Sequence, residues 1–202
     1  MKVKFTNPRF LKFLFPSILS ALVFMSVISC SDDDDSNTPA NKFTIGDTTV
    51  VIKRAIFNQD PTEGTDGFYN HTVGFASEGY EIKDGEHIEG KGSVASFSFY
   101  SKSETLAPGT YTYTGEEEVR TEGNVWSAGV DRGVTKVVFE GDVYSFGGKE
   151  YDFSSGKIEI SKSGDTYTIV FTGKAFEENA ANPTQVDFSC NYKGKLELIV
   201  QK

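Results

Sequence analysis

The feature that most restricts the fold is an alternation of period two that runs along the chain from residue 42 onward. In VDFSCNY, Val186, Phe188, Cys190 and Tyr192 fall on one side and Asp187, Ser189 and Asn191 on the other. Such alternation is the pattern of strands buried on one face. YTIVF aligns Tyr167, Ile169 and Phe171, KIEIS pairs Ile158 with Ile160, and KLELIV aligns Leu196, Leu198 and Val200. TTVVIKRAIF, HTVGFAS, VASFSFYS, TYTYTG and TKVVFEG read as further strands. Turn chemistry separates them at Gly46-Asp47, Pro108-Gly109, Gly147-Gly148, Ser155-Gly156 and Ser163-Gly164-Asp165. Helical periodicity is confined to a turn or two near Phe176 to Ala181, ended before Pro183. Strands recurring about every ten residues predict an all-β fold, a single antiparallel β-sandwich or barrel-like domain over residues 42–202.

The first thirty residues follow different rules. Lys2, Lys4, Arg9 and Lys12 precede an uncharged segment from Phe13 to Ser29. Its 17 residues fall short of the roughly 20 that a membrane-spanning helix needs. The segment ends Val-Ile-Ser-Cys, which resembles the lipobox of bacterial lipoprotein signals. The expectation is a signal peptide at 1–29 and a diacylglyceryl thioether on Cys30. The competing reading is an uncleaved anchor, disfavoured by the short segment with a cysteine at its very end. After Cys30 comes an acidic run that cannot pack, so 30–41 reads as a solvated tether. Cysteine followed by Ser31, Asp32, Asp33, Asp34 and Asp35 resembles the surface-export signal of Bacteroidota lipoproteins. That likeness implies an outer-membrane location facing the cell exterior.

Leu106 to Tyr111 (LAPGTY), SSGKIEI from Ser154, and SGDTYTIVF up to Phe171 together resemble small all-β Bacteroidota lipoproteins of unknown function. The likeness implies a fold rather than an activity.

Charge excludes some partners. Four positive charges and no acid lie in residues 1–29, so taking them from the net −9 leaves −13 on the 173 residues that follow. Nucleic acid, which needs clustered Lys and Arg, is an unsuitable ligand. Gly85-Glu-His-Ile-Glu-Gly90-Lys91 has the spacing of a phosphate loop, but Gly92 stands where a magnesium-binding hydroxyl belongs, and a strand follows instead of a helix. No nucleotide is expected, and no metal or other cofactor. His71 and His87 lack zinc-ligand spacing, and the acidic loop 60–66 has only part of what calcium requires. Cys190 reads as a buried, inert thiol, and Glu116 to Glu118 as a solvated hairpin end.

No catalytic constellation is evident, so the expectation is a non-catalytic binding or adhesion module for a glycan or protein ligand. A lipocalin-like carrier of a small hydrophobic molecule is the second reading, and a glycan-processing enzyme the third. Trp126 and Tyr69, aromatics in loop-like stretches, are the candidate ligand contacts. Asp47-Thr48-Thr49 resembles the Bacteroidota O-glycosylation acceptor, with Thr48 as the modified residue. Asn70-His71-Thr72 matches the N-glycan sequon, expected to be accidental in a bacterial chain.

Overall fold

A computed structural model describes residues 41–59, 66–83, 87–117, 120–140 and 142–200. Signal, lipobox and tether positions up to residue 40, Cys30 and the acidic run among them, lie outside the described residues, as does 60–65 of the calcium-loop candidate. Thirteen strands follow one another: β1 (Lys42–Ile45), β2 (Thr48–Val51), β3 (Arg54–Gln59), β4 (Tyr69–Ala76), β5 (Tyr80–Lys83), β6 (His87–Ser101) and β7 (Gly109–Tyr113). β8 (Asn124–Glu140), β9 (Asp142–Phe146), β10 (Lys149–Ser163), β11 (Thr166–Glu177), β12 (Gln185–Gly194) and β13 (Glu197–Val200) complete the series. Among the described residues there is no helix. The turn expected near Phe176 to Ala181 is instead the end of β11 followed by a tight turn, with Asn179 at φ 62°.

All thirteen strands belong to one sheet, ordered β13-β3-β4-β6-β8-β7-β10-β11-β12-β1-β2, with β5 on β6 and β9 on β8. The sheet curls into a half-barrel and is mixed rather than purely antiparallel, because β13 joins β3 and β7 joins β8 in parallel. The chain itself joins the two margins. Ile52 N–H donates to Asn41 O at 2.8 Å on the β1 side, and Lys53 N–H to Ala76 O at 2.9 Å on β4.

Curling brings the inward residues of distant strands together. Phe75 of β4 meets Tyr192 of β12 at 5.6 Å between ring centroids, and Phe97 of β6 meets Phe171 of β11 at 5.8 Å. Phe43, Phe57, Phe99, Phe153 and Phe188 fill the space between, so a filled core occupies the interior. Its ends are closed as well. Leu106, in the loop before β7, is 2% exposed and belongs to the core. Tyr111 O–H ties that loop down by donating to Ala107 O at 2.7 Å. The LAPGTY motif is therefore a plug. At the opposite end of the strands Arg132 Nη1 donates to Thr48 Oγ1 at 2.5 Å while its guanidinium stands 5.7 Å from the Tyr151 ring centroid.

Burial pushes the Tyr111 phenol up to about 12 from an ordinary 10.0, because ionising it would place charge among rings. A group whose folded pKa is raised stabilises the fold fully below its unfolded pKa and loses that contribution as pH climbs. Stability should therefore fall between about pH 10 and pH 12. Tyr111→Phe should flatten that limb in urea titrations, at a cost of about 1 kcal/mol near neutral pH for the lost hydrogen bond. An unchanged alkaline limb would remove Tyr111 as its cause.

Bulges let the pattern change phase. β10 turns Tyr151 and Phe153 inward at odd positions but Ile158 and Ile160 at even ones, because its register with β11 shifts between Phe153 and Ser155. Gly156 and Gly173 sit beside this shift, where a Cβ would stand 2.7 Å from Phe171 Cε2 and 3.0 Å from Phe153 Cδ1. The final strand reverses an expectation. Leu198 is 57% exposed, and Ile199 turns into a second small cluster with Ile56, Ala76, Tyr80, Val94 and Val134. This cluster lies on the outer face, since Ile56 alternates with the core residues Ala55 and Phe57.

Gly90 and Gly92, at the end of the phosphate-loop-like string and just past it, also find a use, while Gly85 lies outside the described residues. β6 runs straight through them as a strand, with register shifts against β8 on both sides of Gly92. At Gly92, φ is 138° and an added Cβ would lie 2.3 Å from Ser77 Oγ. Only glycine tolerates that crossing.

Candidate functional site

Trp126 and Tyr69 do not share a site. Tyr69 stacks on His71, at 5.8 Å with the rings 5° from parallel, and His71 is wholly buried between Phe57 and Phe99. That side chain points inward and caps the plugged end of the half-barrel. His71 Nε2 lies 2.9 Å from Ser103 O, and a carbonyl only accepts, so Nε2 carries the proton. The histidine is thus a core residue that pins the plug loop.

Trp126 lies on the outer face, and a bulge puts it there. Phe99 opposes Val125 and Ser98 opposes Ser127, leaving Trp126 as the extra residue of β8. Such bulges commonly re-aim a side chain. Val125 fills the core, and the indole swings out and across the sheet. Its Nε1–H donates to Asn70 Oδ1 at 3.1 Å. Asn70 is on β4, with β6 between β4 and β8. Two strand spacings make about 10 Å, so the indole reaches across β6 and is left partly exposed. Tyr100 also holds the ring, stacked on it at 6.2 Å and 27°. Tyr100 is itself fixed. Its hydroxyl donates to Glu117 O at 3.1 Å, and the Arg120 guanidinium stands 5.2 Å from the ring centroid. Burial raises this phenol, and the neighbouring guanidinium partly offsets the rise.

Around the indole the face is polar but uncharged. Asn58, Thr72, Ser98 and Ser127 oppose one another in sequence across β3, β4, β6 and β8. Thr72 and Ser98 share a hydroxyl–hydroxyl hydrogen bond of 2.8 Å. Asn58 Oδ1 is buried and has no hydrogen-bond partner. One row further, Ile56, Gly74, Ser96 and Gly129 oppose one another. A Cβ on Gly74 would meet nothing within 4 Å. Of the charges bordering this face, Arg54 pairs with Glu197 at 3.2 Å and Arg120 with Asp66 at 3.5 Å, while Asp131 opposes Val94 at its β8 side.

The other candidates fall away from this face. Thr48, half-buried at the β1–β2 hairpin, donates to Asp47 Oδ1 at 3.1 Å and accepts from Arg132. Its hydroxyl is committed to closing the half-barrel. Asn70 of the sequon is committed to Trp126. Cys190 is fully buried in the core, and burial raises its thiol far above the usual range. That environment suits packing rather than nucleophilic attack. Among the described residues, no group of three or more His, Cys, Asp or Glu could hold a metal ion, and no helix is long and apolar enough to cross a membrane. No family model, curated protein or solved structure matches the chain.

The sequence named Trp126 but missed its setting. Asn58, Thr72, Ser98 and Tyr100 carry no motif. The outward parity of Thr72, Ser98 and Tyr100 beside core-facing Phe97 and Phe99 was the available signal.

Proposed function

We propose that this chain is a lipid-anchored, surface-displayed binding module that is non-catalytic and recognises its ligand through the outer face around Trp126. The observation that carries this reading is the indole itself. A large aromatic ring is held on the outer face of the sheet by Asn70 and Tyr100 and stays partly exposed. A ring held in place costs little entropy on binding, which is why Trp and Tyr anchor interfaces. The anchor at Cys30 and the export signal Ser31 to Asp35 would place this face at the cell exterior.

The carrier reading receives less support, because the inward side chains are large and in ring-to-ring contact. Two shallow grooves of about 530 and 560 Å³ are lined by Gly79, Gly92 and Val134 and by Lys157, Lys174 and Asp187. An array of glycans and host proteins probed with the purified chain tests the proposal. Trp126→Ala should weaken the captured ligand at least about tenfold, or 1.4 kcal/mol, with the far-ultraviolet spectrum unchanged. Capture indifferent to Trp126→Ala would move the site elsewhere. Sugar release abolished by a single Asp or Glu substitution would make the protein an enzyme.

A further inference from the structure

A lipid on Cys30 would hold the domain near a bilayer without fixing which side faces it, and the step taken here rests on that lipid reading. We propose that the patch of Lys42, Val51, Lys53 and Lys193 around Asn41 is a membrane-resting surface. Its partner is the phosphate-bearing headgroup layer of the bilayer that holds the anchor.

Three observations converge where the chain enters the sheet. First, Asn41 is locked between β12 and the junction of β2 with β3. Its Nδ2 donates to Lys193 O at 3.2 Å, its Oδ1 accepts from Lys193 N–H at 2.8 Å, and its carbonyl accepts from Ile52 N–H at 2.8 Å. Lys193 and Lys53 therefore flank it, and Lys42 follows it. Lys42 opposes Asn191, and Lys193 stands two residues further along β12. Both turn outward, since the alternate positions Phe43 and Tyr192 lie in the core. All three lysines are exposed.

Second, these lysines are uncommitted. Elsewhere Lys149 pairs with Glu177, Lys157 with Glu159, Lys174 with Asp187 and Lys195 with Asp165. Among the described residues, Lys42, Lys53 and Lys193 have no carboxylate within 4.0 Å. In a chain of net −9, an unpaired cationic cluster is a local exception. Third, Val51 opposes Lys42 across β1 and β2 and is 52% exposed. Val51 and Leu198 are the large apolar side chains left exposed among the described residues. An apolar side chain flanked by lysines matches a bilayer interface, where ammonium groups meet phosphate and the apolar group enters the headgroup layer.

Chain length permits the contact. Cys30 lies eleven residues before Asn41, at most about 40 Å of extended backbone. Headgroup attraction acts within about 8 Å at physiological salt. It therefore orients a domain that is already tethered, rather than recruiting an acidic one from solution. The orientation has a consequence for Trp126. β12 and β4 face each other across the core through Tyr192 and Phe75, and β11 and β6 through Phe171 and Phe97. A domain resting on β12 and β1 directs the outer face of β4 and β6, with Trp126, away from the lipid.

The test uses the processed, lipid-bearing chain in two kinds of vesicle. One is phosphatidylcholine alone, and the other is two parts phosphatidylcholine to one part phosphatidylglycerol. Amine acetylation followed by mass spectrometry reads each lysine, with Lys102 and Lys149 as references. Lys42, Lys53 and Lys193 should react at least about threefold more slowly on the anionic vesicles, and about 1 M salt should erase the difference. A polarity-sensitive dye on Val51→Cys gives a second readout, because Cys190 is buried and the lipid blocks Cys30. Its emission should shift to the blue on anionic vesicles. Lys42→Glu with Lys53→Glu and Lys193→Glu should abolish that shift while the chain stays vesicle-bound and its melting temperature holds.

Equal acetylation on both vesicles, by a chain that stays bound, overturns this surface and leaves the anchor standing. Equally slow acetylation on neutral vesicles overturns the phosphate assignment. A blue shift that survives the three Glu substitutions overturns the role of the lysines. A chain that washes off both vesicles overturns the lipid reading and this inference with it.

Discussion

Phe171→Ala is expected to lower the unfolding free energy by about 3–5 kcal/mol, the range for truncating a fully buried phenylalanine. The ring is 1% exposed and touches three others. It stacks on Phe153 at 4.8 Å, meets Phe188 at 4.8 Å, and meets Phe97 at 5.8 Å across the half-barrel. Its place is cleared by Gly156, where a Cβ would collide with it. Backbone strands hold these neighbours, so they cannot collapse into the vacated space, and the loss should sit toward the upper end of the range. Against a total of about 5–15 kcal/mol for an ordinary domain, this removes a large share of the stability. The melting temperature should drop by about 10 °C. Urea titration followed by Trp126 emission reads the effect, and benzene should partly restore the variant by entering the new apolar cavity. A loss under about 1 kcal/mol would mean that the interior has room to spare, and would revive the hydrophobic-carrier reading.

Cys30→Ala is expected to change the location of the protein almost completely. Each buried CH₂ contributes about 0.8 kcal/mol, and a single myristoyl chain gives only reversible attachment. Several chains on one cysteine would make release negligible on the timescale of fractionation. Without the thiol no thioether forms, so incorporation of a lipid probe should vanish and the product should be unprocessed or unanchored. Retention in the outer-membrane fraction after a carbonate wash would refute the lipobox assignment. Replacing Asp32, Asp33, Asp34 and Asp35 with Ala should leave the lipid in place and remove access to added protease. Access that persists would reduce the acidic run to a spacer.

Local alternation identified the strands well where a single strand keeps one phase. β12 is the clearest case, with Phe188, Cys190 and Tyr192 buried as their spacing demands. The alternation misled where phase depends on a partner. Leu198 and Ile199 are equally apolar, and only the parallel docking of β13 on β3 decides that Ile199 is covered and Leu198 is not. TTVVIKRAIF reads as one strand, yet it divides into β2 and β3 because its halves bond to opposite margins of the sheet.

The candidate site divides in the same manner. Composition made aromatics in loop-like stretches worth marking, and it marked Tyr69 and Trp126 alike. Tyr69 and His71 sit two positions apart and share the inward face of β4, which turns Tyr69 into a cap on the core. Trp126 faces outward because one extra residue in β8 breaks the alternation, and no propensity in EGNVWSAG announces that bulge. By itself the sequence determined that the chain folds as strands, since period two and turn residues act within a few positions. Which edges join, which residue of a bulge is expelled and which apolar side chain stays wet were decided only in the curled sheet. Those outcomes depend on residues tens of positions apart competing for the same interior.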